Sequence, residues 1–229
     1  MPDRPLLMSA PMVRACLAGT KSVMRGPIKP TPRKGESRWL TEIPANWNPK
    51  EIIGADANGH MDVLGHTGLW GHDGDPETDV VRPRLQPGDV AYVCEAWKTY
   101  PDFDDLPPRD IPADSAIAYL AEKEPEFKCG RYRHSRFMCK WMSRLWAPVL
   151  SVRPERLQEI TPADVLREGI VIDRDTAAPW MSDNDLLLGE FSDRWNAIYG
   201  PGAWEANPWC WRYEVGPWVG SREEINGNV

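Results

Sequence analysis

The chain has 229 residues, of which 41% are hydrophobic and 27% charged, with 12 Trp and a net charge of −7. That supports one large domain, or one domain with long insertions, built on an aromatic-rich core. The acidic balance excludes a protein that coats long duplexes through a basic surface, although it leaves room for a small pocket that takes one nucleotide.

The N-terminal MPDRPLLMSAPM has no long apolar run, and no stretch reaches membrane-spanning length, so neither a signal peptide nor a membrane span is expected. Five cysteines (16, 94, 129, 139 and 210) form no CxxC pair, which suits reduced thiols in a cytoplasmic protein.

In chain order, Met12, Val13, Cys16 and Leu17 share one face of a helical repeat, and Gly19 supplies its stop. Lys21, Ser22 and Arg25 follow at once, before Pro27 and Pro30 break regular structure. Two cations and a hydroxyl beside a glycine turn suit a polar pocket. A Gly-, Asn-, Asp- and Pro-rich insertion then runs over about 36–85. Within it, Ile52-Ile53 and Met61-Val63-Leu64 could pair as a hairpin around Asn58-Gly59.

Pro87-Gly88-Asp89 turns the chain into the clearest strand, through Val90, Tyr92 and Cys94, with Glu95 at its end. A second insertion covers about 99–128, where Asp114 or Ser115 could cap a short helix through Ala121. Cys129 to Trp146 mixes cations with aromatics, and a strand over Val149 to Val152 follows it. Thr161-Pro162-Ala163-Asp164 opens a short helix with Thr at the N-cap, Pro at the first helical position and an acid at the third. That helix ends at Gly169.

Leu186, Leu187, Phe191, Trp195 and Ile198 predict a helix over 185–199, stopped by Gly200-Pro201-Gly202. In the last strand, 207–215, Trp209, Trp211 and Tyr213 alternate with Cys210, Arg212 and Glu214, which places the two Trp in the core. The tail REEINGNV is expected to fray. With no repeated βα rhythm and no GxGxxG, an α+β fold follows: a small mixed β-barrel with peripheral helices and two loop-rich insertions.

Three blocks carry a family resemblance: LAGTKSVMR, PGDVAYVCEAW, and LQEITPADVLREGI followed by WEANPWCWRYEV. In this order they resemble the ASCH-domain proteins of the PUA-like superfamily, most nearly the phage and prophage branch, over roughly half the chain. The resemblance implies a β-barrel with a cleft, RNA or a modified nucleoside as partner, and, if the protein is phage-encoded, the cytoplasm of a bacterial host.

A small ASCH relative is an amidohydrolase that deacetylates N4-acetylcytidine with a Lys, a Thr and a Glu. Its Lys matches Lys21 and its Glu matches Glu168, whereas its Thr position falls on Met24. Ser22 would share a strand face with Met24 and is the hydroxyl available as a shifted nucleophile.

Amide hydrolysis needs a nucleophile, a proton carrier and a group that steadies the oxyanion. Lys21 could serve as base and Glu168 as proton shuttle, or the two could form an ordinary ion pair. Arg25 could hold a phosphate or carbonyl oxygen. Glu95 could face the same cleft and pair with Arg25, or sit as an edge residue in solvent; the apolar strand before it favours the cleft.

Arg133, Arg136 and Trp141, in a run with Arg131, Tyr132 and Phe137, suit single-stranded nucleic acid; the alternative is a strand with inward aromatics. Cys129, His134 and Cys139 lack a CxxC pair and an evident fourth ligand, and His60, His66 and His72, every six residues beside Asp62, Asp73 and Asp75, could hold a metal but read more simply as a surface loop, so no metal or cofactor is expected. A third class of function, a non-catalytic accessory protein that binds a partner through Trp-rich surface, stays open.

Overall fold

The structure is a computed structural model. It describes residues 1–28, 51–53, 62–70, 76–81, 83–122, 125–174 and 180–227, with the backbone alone over 51–81 and at 226–227. The architecture is α+β. A five-stranded mixed sheet runs in the order β1 (Asp3–Leu7), β6 (Val90–Cys94), β9 (Trp146–Arg156), β10 (Trp209–Val215) and β2 (Val23–Pro27). β1 lies parallel to β6, and the other neighbours are antiparallel.

β9 is longer than the four residues its hydrophobic run suggested, because two ladders share it. Residues 146–148 pair with β6, and 149–156 with β10. The closed barrel expected from the sequence is not found among these ladders, which leave β1 and β2 at the two ends of the strand order.

The expected first helix is α1 (Ala10–Leu17), with Val13, Ala15 and Cys16 buried and Leu17 exposed. The stripe is therefore one residue narrower than its spacing implied. Burying a side chain such as Val13, which is fully enclosed, contributes about 1.5–3 kcal/mol.

The alternation in β10 divides the molecule. Trp211 and Tyr213 pack with Met24, Val152 and the α1 residues in the main core, and Trp209 packs partly against it. The opposite face carries Cys210 into a second core. There it meets Val165 of α2 (Pro162–Arg167) and Leu187, Phe191 and Trp195 of α3 (Asp183–Tyr199).

Between β2 and β6, β3 (Glu51–Ile53), β4 (Asp62–Trp70) and β5 (Pro76–Val81) form a separate antiparallel sheet. Ile52 pairs with Val63, as the hydrophobic pattern suggests, while the Asn58-Gly59 turn lies outside the described residues.

β1 carried no sequence expectation; its Pro5 is tolerated because on an edge strand the missing N–H costs no ladder bond. Two expectations are corrected. No helix starts at Asp114. Instead β8 (Ala118–Tyr119) pairs with β7 (Trp97–Lys98), and the seven residues from Ser115 to Ala121 are too few to hold a stable helix without packing. The tail forms α4 (Arg222–Gly227), because Ile225 buries against Val90 and Trp146 while Arg222 Nε donates to Asp3 at 2.8 Å. No helix among the described residues is long and apolar enough to cross a membrane.

Candidate functional site

The site is assembled by two glycine turns. Gly19, at φ +69°, ends α1 and lets Lys21 N–H donate back to Ala15 O at 3.2 Å. Gly169, at φ +82°, ends α2 directly beside α1, where a Cβ would lie 2.3 Å from Ala15 Cβ. This close approach pairs Lys21 with Glu168 as a short antiparallel bridge, fixed by Ser22 N–H donating to Arg167 O at 2.8 Å.

Lys21 is 1% exposed, and its ammonium is fully committed. It donates to Glu168 Oε2 at 2.8 Å, Glu168 O at 3.0 Å and Val23 O at 3.0 Å. Lys21, Val23 and Arg25 alternate onto the face that looks toward α2 and α3. Arg25 sits there among three carboxylates: Glu155 at 2.6 Å, Asp164 at 3.0 Å and Glu168 at 3.1 Å. Burial alone would lower the Arg25 pKa, but the charges of Glu168, Glu155 and Asp164 more than offset this and raise it.

The register explains how the carboxylates gather. Arg25, Arg212 and Arg153 share one rung across β2, β10 and β9. Arg212 reaches Asp164 at 3.1 Å, and Arg153 reaches Glu155 at 3.2 Å. Burial pushes the Asp164 pKa up, yet the hydrogen bond from Arg212 and the charges of Arg25 and Arg212 bring it below its ordinary value. Lys21, Arg25 and Arg212 thus balance Glu155, Asp164 and Glu168, all in or near the interior. Buried charges persist only when paired in this way.

One end of this network opens into a cavity of about 390 Å³. Lys21, Arg25 and Glu168 form its inner end. Met12 of α1, Ile170 after α2 and Phe191, Trp195, Ile198 and Tyr199 of α3 contribute apolar and aromatic wall, with Ser9 and Arg194 also lining it. Trp195 and Tyr199 pack ring on ring, with centroids 4.4 Å apart. An apolar cavity of this size with a few convergent polar groups suits a small ligand.

The other residues singled out in the sequence fall elsewhere. Ser22 and Met24 share a strand face, but it is the face away from the cavity. Met24 is buried in the main core, and Ser22 Oγ accepts from Arg167 Nε at 3.2 Å. Glu95 is buried but does not meet Arg25. It takes a bidentate pair from Arg144, at 2.9 and 3.1 Å, while Arg25 is already held by three other acids.

Arg133 is 5% exposed and fastens the 103–106 turn, donating to the carbonyls of Phe103, Asp104 and Leu106 while its guanidinium lies over Trp97. Arg136 and Trp141 stay at the surface near exposed Tyr132 and Phe137, on 3-10 turns rather than a strand, and none of them lines the cavity.

His134 Nδ1 accepts from Arg136 N–H at 3.1 Å, and among the described residues no group of three or more His, Cys, Asp or Glu is placed to hold a metal. His60 and His72 lie outside the described residues, and His66 is described by its backbone alone.

Sequence reasoning missed the second half of the site. Glu155 lay beyond the expected strand over Val149 to Val152 and was given no role, and Asp164 read only as the acid at the third position of its helix. Phe191, Trp195 and Tyr199 recur every four residues on α3, which was a signal for a stripe that extends past the core into the cavity wall. No family model, curated protein or solved structure matches the chain.

Proposed function

We propose that the chain binds a small, uncharged nucleoside, such as a modified pyrimidine or an RNA nucleotide presenting one, in the cavity between α1, α2 and α3. The observation that carries this reading is the cavity itself: aromatic wall on α3 and, at its inner end, the Glu168 carboxylate anchored by Lys21 and Arg25. An aromatic wall takes a base face, and a fixed carboxylate accepts from a base N–H. The order of the three sequence blocks supports placing the chain among ASCH-type, PUA-like proteins. Exposed Tyr132, Phe137 and Trp141 with Arg131 and Arg136 offer stacking and charge to a flanking single strand.

The contact between Lys21 and Glu168 favours a second reading, hydrolysis of an N4-acylated cytidine. Two features weigh toward binding instead. Every N–H of Lys21 is already donated, so it acts as a fixed ammonium rather than an idle base. The hydroxyl expected at Ser22 faces away from the cavity, whose lining hydroxyls are Ser9 and Tyr199.

Titrating the protein with cytidine and with N4-acetylcytidine, followed by Trp fluorescence, tests binding. The ultraviolet absorbance of the acetylated nucleoside over hours tests hydrolysis. Saturable quenching with constant absorbance supports the binding reading. Falling absorbance that Lys21→Ala abolishes establishes the enzyme, and no response in either assay removes both.

A further inference from the structure

Tyr199 closes α3, and its ring packs on Trp195 in the cavity wall. It is 42% exposed, and its hydroxyl has no hydrogen-bond partner among the described residues. Glu168 lines the same cavity, and its charge reaches the phenol: burial, then Cys210 and Glu168, all raise the Tyr199 pKa. The phenol is therefore a proton donor at neutral pH.

Glu168 is the complementary group. Oε2 accepts from Lys21, and Oε1 from Arg25, one bond each. A carboxylate offers about four acceptor sites, so roughly two remain. Its cationic partners have little left to give. Lys21 has spent all three N–H groups, and the Arg25 side chain is 1% exposed. The inner end therefore presents an acceptor to a ligand, and the nearby wall presents a donor.

We infer that Tyr199 is the specificity-determining residue of this cavity, donating to a carbonyl or ring-nitrogen acceptor of the ligand while Glu168 accepts from an amino or imino N–H on the same heterocycle. The ligand class is then an uncharged, flat ring carrying a donor and an acceptor on its edges, with its face against Trp195. An anionic edge is disfavoured, since Glu168 would meet it with like charge and no lining cation at the inner end is unpaired. The inference rests on the cavity being the ligand site.

The test uses the full chain and two probes, cytidine and pyrimidin-2-one riboside, which is cytidine without its amino group. Affinities are measured by calorimetry for the wild type and for Tyr199→Phe, which keeps the ring on Trp195 and removes only the hydroxyl. One hydrogen bond to a neutral partner corresponds to about a tenfold change in affinity. Tyr199→Phe is expected to weaken both probes about tenfold. Loss of the amino group is expected to weaken binding to wild type and variant alike by about tenfold or more, because that group donates to the charged Glu168 carboxylate.

Tyr199→Phe binding cytidine within about twofold of wild type overturns the role of Tyr199 while the cavity reading stands. Wild type that does not bind cytidine at all overturns the cavity reading and this inference together.

Discussion

Replacing Lys21 with Met keeps the methylene stem and deletes the ammonium. Three acceptors lose their donor at once: Glu168 Oε2, Glu168 O and Val23 O. The buried charge balance shifts from three against three to two cations against three carboxylates, at a position 1% exposed. Removing one member of a buried pair costs about 3–5 kcal/mol, and Arg25, still 3.1 Å from Glu168, holds the expected value near the lower end.

With a urea m-value of about 3 kcal/mol/M, Lys21→Met should lower the unfolding midpoint by about 1 M. Adding Glu168→Gln restores the balance at two against two. The double variant should therefore lie above the sum of the single losses by at least 1.5 kcal/mol, within the range seen for coupled neighbours. Urea unfolding of the four proteins at pH 7 gives the cycle. Losses that add to within about 0.5 kcal/mol would show that the two residues do not share an interior charge network.

Asp164 and Glu214 both have folded-state pKa values below their ordinary ones. In Asp164, bonds and charges from Arg212 and Arg25 outweigh burial. In Glu214, the hydrogen bond from Arg167 leads. A depressed carboxylate stabilises the fold above its unfolded pKa of about 4, and that contribution disappears as pH falls through the folded value. Stability should therefore drop below about pH 4, and Asp164→Asn should drop less steeply between pH 5 and 3; parallel curves would contradict this.

Gly169→Ala should cost at least about 2 kcal/mol in urea unfolding, from positive φ strain plus a 2.3 Å clash with Ala15, and a change under 0.5 kcal/mol would refute the close approach. Cys16, Cys94 and Cys210 are buried, with their thiols pushed up to about 12, 11 and 12, whereas Cys129 and Cys139 are half-buried; Cys129 should therefore label fastest with a thiol reagent in the native protein, and Cys139, which burial also raises, more slowly. Fast modification of more than two thiols would contradict the described cores.

How the sequence announces the fold differs from element to element. Thr161-Pro162 and Gly169 bracket α2 with local chemistry, so its ends are readable: Thr161 Oγ accepts from Asp164 N–H at 3.2 Å as a capping residue should. The alternation along β10 likewise separates Trp211 from Arg212 without any tertiary knowledge.

What local pattern does not carry is partner choice. Glu95 lies at the end of an apolar strand, but its cation is Arg144, set by the packing of the 129–145 segment. Arg133 sits in a run that reads as a nucleic-acid surface, yet three backbone carbonyls from 27 to 30 positions away hold it inside. The contact between Lys21 and Glu168 spans 147 positions and was reached through motif order, not periodicity. The cavity needed α3, whose stripe reads equally as core or wall until Tyr199 is seen packed on Trp195, part exposed, with both rings lining the cavity.

The central claim is that the α3-walled cavity is where the ligand sits. The most direct measurement is the tryptophan indole N–H region of a nitrogen-15 correlation spectrum during titration with cytidine, with Trp195 assigned from Trp195→Phe. The Trp195 resonance should move saturably while that of surface Trp141 stays put. A Trp195 resonance that stays fixed while Trp141 moves would place the ligand on the outer surface and contradict the account.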